Sequence, residues 1–101
     1  MAEWVRVASV DEIPEGTGKE VVVGDRIVAV YHTDGWYALD GICPHAGGPL
    51  GQGHVQGQTV TCPWHGWQFD VSTGQHRLNS SICQSTFPIR IEANDVLVEM
   101  P

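Results

Sequence analysis

The chain has 101 residues, of which 42% are hydrophobic and 17% charged. This suits one domain with one modest core and excludes a disordered chain, collagen, a coiled coil or a disulfide-dense mini-protein. Five basic against twelve acidic residues give a formal charge of −7, and Lys19 and the four arginines do not cluster, so nucleic-acid phosphates and anionic lipid surfaces are not expected partners.

The N-terminus shows no basic leader, and the longest apolar run, Ile27–Tyr31, is far short of a membrane span. A cytoplasmic protein is expected. Three cysteines in a reducing compartment then call for a reason other than disulfides.

Short β-branched runs separated by turn dipeptides recur along the chain. Trp4–Val7 alternates, with Val5 and Val7 on one face. Asp11–Gly18 holds Pro14, Gly16 and Gly18 and reads as a loop with at most one helical turn. Glu20–Val23 and Arg26–Tyr31 flank Gly24-Asp25 as a hairpin. Asp34-Gly35 turns the chain into Trp36–Leu39. Thr59–Thr61 and Gln68–Asp70 follow, and Phe87–Ile91 with Val96–Glu99 reads as a closing hairpin around Asn94-Asp95. Eight or so such strands predict an all-β, antiparallel fold over residues 1–101.

Two stretches break the pattern, about 41–53 and 62–67. Each is rich in Gly, Pro, Cys and His, and they resemble each other: Cys43-Pro44-His45 and Cys62-Pro63-Trp64-His65. The spacing is C-x-H, sixteen residues, then C-x-x-H. Each loop offers one thiolate and one imidazole, so two loops side by side bring four soft or borderline ligands to one metal site. Two cysteines and two histidines suit tetrahedral zinc. The usual finger order, however, is two cysteines and then two histidines, the second pair on a helix, and no helix is evident here. The alternating order suits two irons, one held by the cysteines and one by the histidines. A Cys–His hydrolase lacks its nucleophile and oxyanion-hole context.

The sequence Cys43–Leu50 (CPHAGGPL) with Cys62–Asp70 (CPWHGWQFD) resembles the two cluster loops of the Rieske iron–sulfur family. The resemblance covers nearly the whole chain. It implies an antiparallel β-sandwich carrying a small two-loop cluster-binding subdomain. It also implies one [2Fe–2S] cluster per chain, with Cys43 and Cys62 on the buried iron and His45 and His65 on the outer one. Trp64, Trp67 and Phe69 are then expected around the cluster and the loop bases, with Leu50 shielding it. Cys83, with no paired histidine, reads as a small buried hydrophobe. His32, His54 and His76 read as turn or surface residues, and Asp70 with Thr73-Gly74 as turn chemistry.

The respiratory members of that family carry a loop-to-loop disulfide and a serine donor; the matching positions here hold Gly48, Trp64 and Trp67. The third loop, often proline-rich in the family, is proline-free at Leu78–Thr86. The chain is therefore similar to the soluble, low-potential ferredoxins. That kinship implies a monomeric, non-enzymatic electron carrier between a flavoprotein reductase and a terminal oxygenase. The alternatives are the small Rieske-like subunit of an NAD(P)H nitrite reductase, or a non-redox interaction domain stapled by a metal.

Overall fold

A computed structural model describes residues 3–42, 47–64, 66–79 and 81–100. Among them are ten strands: β1 (Glu3–Ser9), β2 (Thr17–Val23), β3 (Arg26–His32), β4 (Trp36–Asp40), β5 (His54–Gln56), β6 (Thr59–Thr61), β7 (Gln68–Asp70), β8 (Thr86–Phe87), β9 (Ile89–Glu92) and β10 (Asp95–Met100). Short 3₁₀ turns at Val10–Glu12 and Leu50–Gln52 are the only helical elements among the described residues. All named strand pairs are antiparallel.

The strands form three sheets, ordered β1-β10-β9, β2-β3-β4-β8 and β5-β6-β7. The four-stranded sheet is the middle layer. Its β3 explains the apolar run Ile27–Tyr31: successive side chains point to opposite faces, and both faces are buried. Val28 and Val30 pack with Ala8, Ile13, Val96 and Val98 of the first sheet and its connections. Ala29 and Tyr31 face the other way and join Leu39, Leu50, Val60, Cys62 and Phe69. The expected β-sandwich with a smaller subdomain is thus built as two apolar clusters on either side of one sheet.

Four local expectations need correction. β2 begins at Thr17, inside the stretch assigned to a loop. Gly18 belongs to that strand because the Tyr31 ring fills the side-chain space: a Cβ there would lie 2.5 Å from Tyr31 Cδ1. β5 was not anticipated, since His54-Val55-Gln56 has a single apolar residue and too little pattern to read. The run Phe87–Ile91 is two strands. Pro88 has no N–H for a ladder, and the chain changes sheets there, Phe87 pairing with Ala38 and Ile89 with Val98. The closing turn is Ala93-Asn94, one residue earlier than expected, with Glu92 opposite Asp95 and Ala93 at φ 54°.

Candidate metal centre

Both cysteine- and histidine-bearing loops leave the end of the molecule where β4 stops and β6 turns into β7. Each is closed at its base by a backbone hydrogen bond. Leu50 N–H donates to Gly41 C=O (3.0 Å), and Cys62 N–H donates to Trp67 C=O (2.7 Å). An isolated bridge between Ile42 and Pro49 tightens the first loop. Gly41 N–H also donates to Ile27 C=O (2.9 Å), tying the loop to β3. The buried Tyr31 hydroxyl donates to Leu50 C=O (2.6 Å) and anchors the far side of the loop.

Of the four expected ligands, Cys62 lies among the described residues; Cys43, His45 and His65 lie outside them. Cys62 is 1% exposed, carries a free thiol and packs in the cluster with Leu50 and Phe69. Its Sγ faces the first loop. A Cβ placed on Gly48 would lie 2.8 Å from that sulfur and 3.1 Å from Trp64 Cβ. Only a glycine lets the first loop approach the thiol so closely. The same contact makes Gly48 and Trp64, the two positions that the resemblance matches to a disulfide in the respiratory members, neighbours in space. A buried, unpaired soft ligand with backbone drawn against it fits a metal–sulfur group. Among the described residues no group of three or more His, Cys, Asp or Glu side chains could hold a metal ion, so His32, His54, His76 and Cys83 form no competing site there.

The aromatic surroundings follow the expectation in part. Phe69 is fully buried, and Trp67 packs half-buried against the same cluster, 6.4 Å from it between ring centroids. Trp64 is 49% exposed despite its position beside Gly48. Leu50 is fully buried beneath the first loop. Asp70 is turn chemistry: its carboxylate accepts from the Ser72 amide (2.8 Å), the Ser72 hydroxyl and the Thr73 amide, and its carbonyl accepts from Gly74 N–H (2.7 Å). Burial raises the Asp70 carboxyl, but the Ser72 hydrogen bonds together with Arg77 outweigh it and hold the group below the usual carboxylate range.

Three single-residue expectations are overturned. Cys83 is exposed; it pairs through backbone with Gln75, and its thiol donates to the Thr73 carbonyl (3.5 Å). His32 is half-buried within β3 and stacks on Trp36 at 4.0 Å. His76 is buried, opposite Phe69, and edge-on to Trp67 at 4.7 Å and Phe69 at 5.3 Å. Its Nδ1 accepts from the Leu78 and Asn79 amides (3.0 and 3.2 Å), which leaves the proton on Nε2, where no hydrogen-bond partner meets it among the described residues.

Sequence reasoning missed Gln84. It is 6% exposed, and its amide nitrogen donates to the carbonyls of Asp40 (2.8 Å) and Ile42 (2.5 Å). Those two residues flank Gly41 at the start of the first loop. No local pattern marks it, because its partners are more than forty residues away in the chain.

Comparison with known proteins agrees with this arrangement. The family model described as Rieske [2Fe-2S] domain matches residues 3–88. The ferredoxin component of the naphthalene 1,2-dioxygenase/salicylate 5-hydroxylase systems of Ralstonia sp. is 33% identical, covering 96% of this chain and 95% of that protein. The ferredoxin component of an alkene monooxygenase system of Xanthobacter autotrophicus is 35% identical over 95% of this chain and 80% of its own. Among solved structures, a chain from the complex of reduced oxygenase and oxidized ferredoxin in carbazole 1,9a-dioxygenase superposes with a TM-score of 0.84 at 28% identity, covering 94% of this chain and 91% of that one. Two structures named for nitrite reductase small subunits also share the fold, at 20% and 19% identity.

Proposed function

The chain belongs to the Rieske [2Fe–2S] domain family, and from that premise we propose that it is a soluble, cytoplasmic and monomeric ferredoxin that passes single electrons from a flavoprotein reductase to a terminal oxygenase. When bound, the cluster supplies a one-electron carrier. The chain's residues supply its ligands and its surroundings. Cys43 and Cys62 offer the thiolates for one iron, and His45 and His65 the imidazoles for the other. Cys62 lies on the buried side, among Leu50, Val60 and Phe69. Gly48 keeps the first loop against its sulfur. No helix among the described residues is long and apolar enough to cross a membrane, in keeping with a diffusing carrier.

One observation carries the reading: the buried, unpaired Cys62 thiol with Gly48 drawn against it. One feature supports the ferredoxin role over the nitrite reductase one. Curated relatives at 30% identity or more include ferredoxin components of oxygenase systems, whereas the likenesses to two structures named for nitrite reductase small subunits rest on fold alone. The charge of −7 favours partners with basic docking faces and makes association salt-sensitive.

The test is composition and turnover of electrons. Anaerobically purified protein is expected to hold two irons and two acid-labile sulfides per chain. Reduced by a ferredoxin reductase, it should be reoxidised by an oxygenase component with its substrate. Replacing Cys62 with Ser should abolish the cluster, because a deprotonated soft ligand is lost. Stoichiometric zinc in place of iron and sulfide would sink the proposal.

A further inference from the structure

Gln84 is a polar side chain in a buried place, and a burial of this kind is costly unless the group is fully used. Both of its partners, the Asp40 and Ile42 carbonyls, are acceptors, so the amide nitrogen must face them. The Ile42 carbonyl belongs to the peptide that leads into Cys43. That peptide is planar, so fixing its oxygen fixes the plane on which the chain departs toward the ligand. The Asp40 carbonyl is two residues earlier, and the Asp40 carboxylate accepts from Ile42 N–H (3.1 Å). Gly41 between them is bound to Ile27 and Leu50. The side chain of Gln84 thus completes a set of hydrogen bonds that leaves residues 40–42 no freedom to turn.

The backbone of Gln84 is itself held. Its N–H donates to Gly74 C=O (2.6 Å), and the next residue, Ser85, accepts from Asp40 N–H (2.9 Å). Gly74 adopts φ 78°, and a Cβ there would collide with the Gln84 carbonyl. The turn after β7, where Asp70 gathers its hydrogen bonds, therefore supports Gln84 from behind. In this way the loop 78–86, which has no proline to stiffen it, is pinned at one point to the first cysteine loop.

We propose that Gln84 is a positioning residue for the metal group: it holds the Cys43 loop in ligand-ready form and so slows loss of iron. The proposal rests on Cys43 being a ligand. The measurement is iron transfer from reduced holoprotein to a ferrous chelator at 25 °C, beside thermal unfolding of the same samples. Gln84→Met keeps length and burial but removes both donors. It should release iron about tenfold faster, the equivalent of one or two ordinary hydrogen bonds. Gln84→Asn keeps an amide on a shorter arm and should fall between Gln84→Met and the wild type. Ile13→Ala, in the distant apolar cluster, serves as the control for a merely structural role. It should lower the unfolding temperature yet release iron at the wild-type rate at 25 °C. If Gln84→Met fails to fold, Gln84→Leu replaces it: similar volume is kept with no donor. Release at the wild-type rate from the folded donor-free variant, or equal acceleration in Ile13→Ala, overturns the proposal. Cys43→Ser separates the two readings: wild-type iron and sulfide content in that variant refutes the ligand assignment, whatever the Gln84 variants do.

Discussion

The two faces of the middle sheet are closed by different kinds of interaction. On the β1-β10-β9 side, a buried apolar cluster runs from Ala8 to Met100 among the described residues. The seven residues of β1 and the six of β10 meet there in a long register, from Glu3–Met100 to Ser9–Asp95. On the β5-β6-β7 side the strands are three residues each. The apolar cluster is still present, but side-chain-to-backbone hydrogen bonds bridge its margins: Tyr31 to Leu50, Thr33 to Gly57, Gln84 to Asp40 and Ile42. The contrast has a physical origin. Apolar packing is tolerant of sequence and fixes layers. A ligand site demands loop backbones at set places, and directional hydrogen bonds to carbonyls provide that.

The largest effects should separate the two sides. Phe69→Ala removes a fully buried ring beside Cys62 and is expected to cost about 3–5 kcal/mol and to lower iron content per chain. Ile13→Ala on the other side should cost about 2–5 kcal/mol while the iron-to-protein ratio at 25 °C stays at the wild-type value. Denaturant unfolding with iron analysis of the same samples checks both. Equal iron loss in the two variants would erase the distinction.

A smaller effect is expected at the β9–β10 turn. Ala93 holds φ 54°, a left-handed conformation that its Cβ disfavours. Ala93→Gly should stabilise the protein by about 0.5–1 kcal/mol, read as a shift of the urea midpoint, with the metal side unchanged. Loss of stability on this change would mean that the alanine methyl makes a contact outweighing the strain.

The smallest effect concerns the 3₁₀ turn after β1. Lys19, together with the Ser9 amide and hydroxyl, lowers the Glu12 carboxyl from 4.5 to about 2. The folded value is depressed, so the contribution is present above pH 4.5 and disappears as pH falls toward 2. Glu12→Gln should therefore be less stable than the wild type near neutrality, and the gap should close across that acid window. Both groups are exposed, so the gap is also expected to shrink in high salt. Urea midpoints at a series of pH values read it; a gap independent of pH would remove the carboxylate from the account.

The same division governs what the sequence discloses. Alternation in β1, the double-sided run of β3 and the turn at Asp34-Gly35 are visible because each depends on neighbours in the chain. So is the paired Cys-x-His and Cys-x-x-His pattern, which marks the metal side before any coordinate is known. What is hidden depends on distant contacts. Gly18 reads as loop until the Tyr31 ring is placed over it. Cys83 reads as core by residue type, yet the rim of the third loop leaves it exposed. His76 becomes buried through its position opposite Phe69, and Gln84 acquires its partners from the end of β4. Pro88 was available to divide Phe87–Ile91, and its missing N–H is a local signal that the apolar pattern obscured.

The pairing of β1 with β10 bears on how the chain reaches this form. Arg6 and Asp95, joined at 2.8 Å across that pair, are 89 residues apart in sequence. No β1 ladder bond can exist until nearly the whole chain has come together, and long-range closure of this kind slows folding. The sheet that carries Cys62 is assembled from consecutive residues, His54 to Asp70, and needs only short closures. The sheet that bears the second cysteine loop is thus local in chain order, and the part that seals the molecule is the most remote.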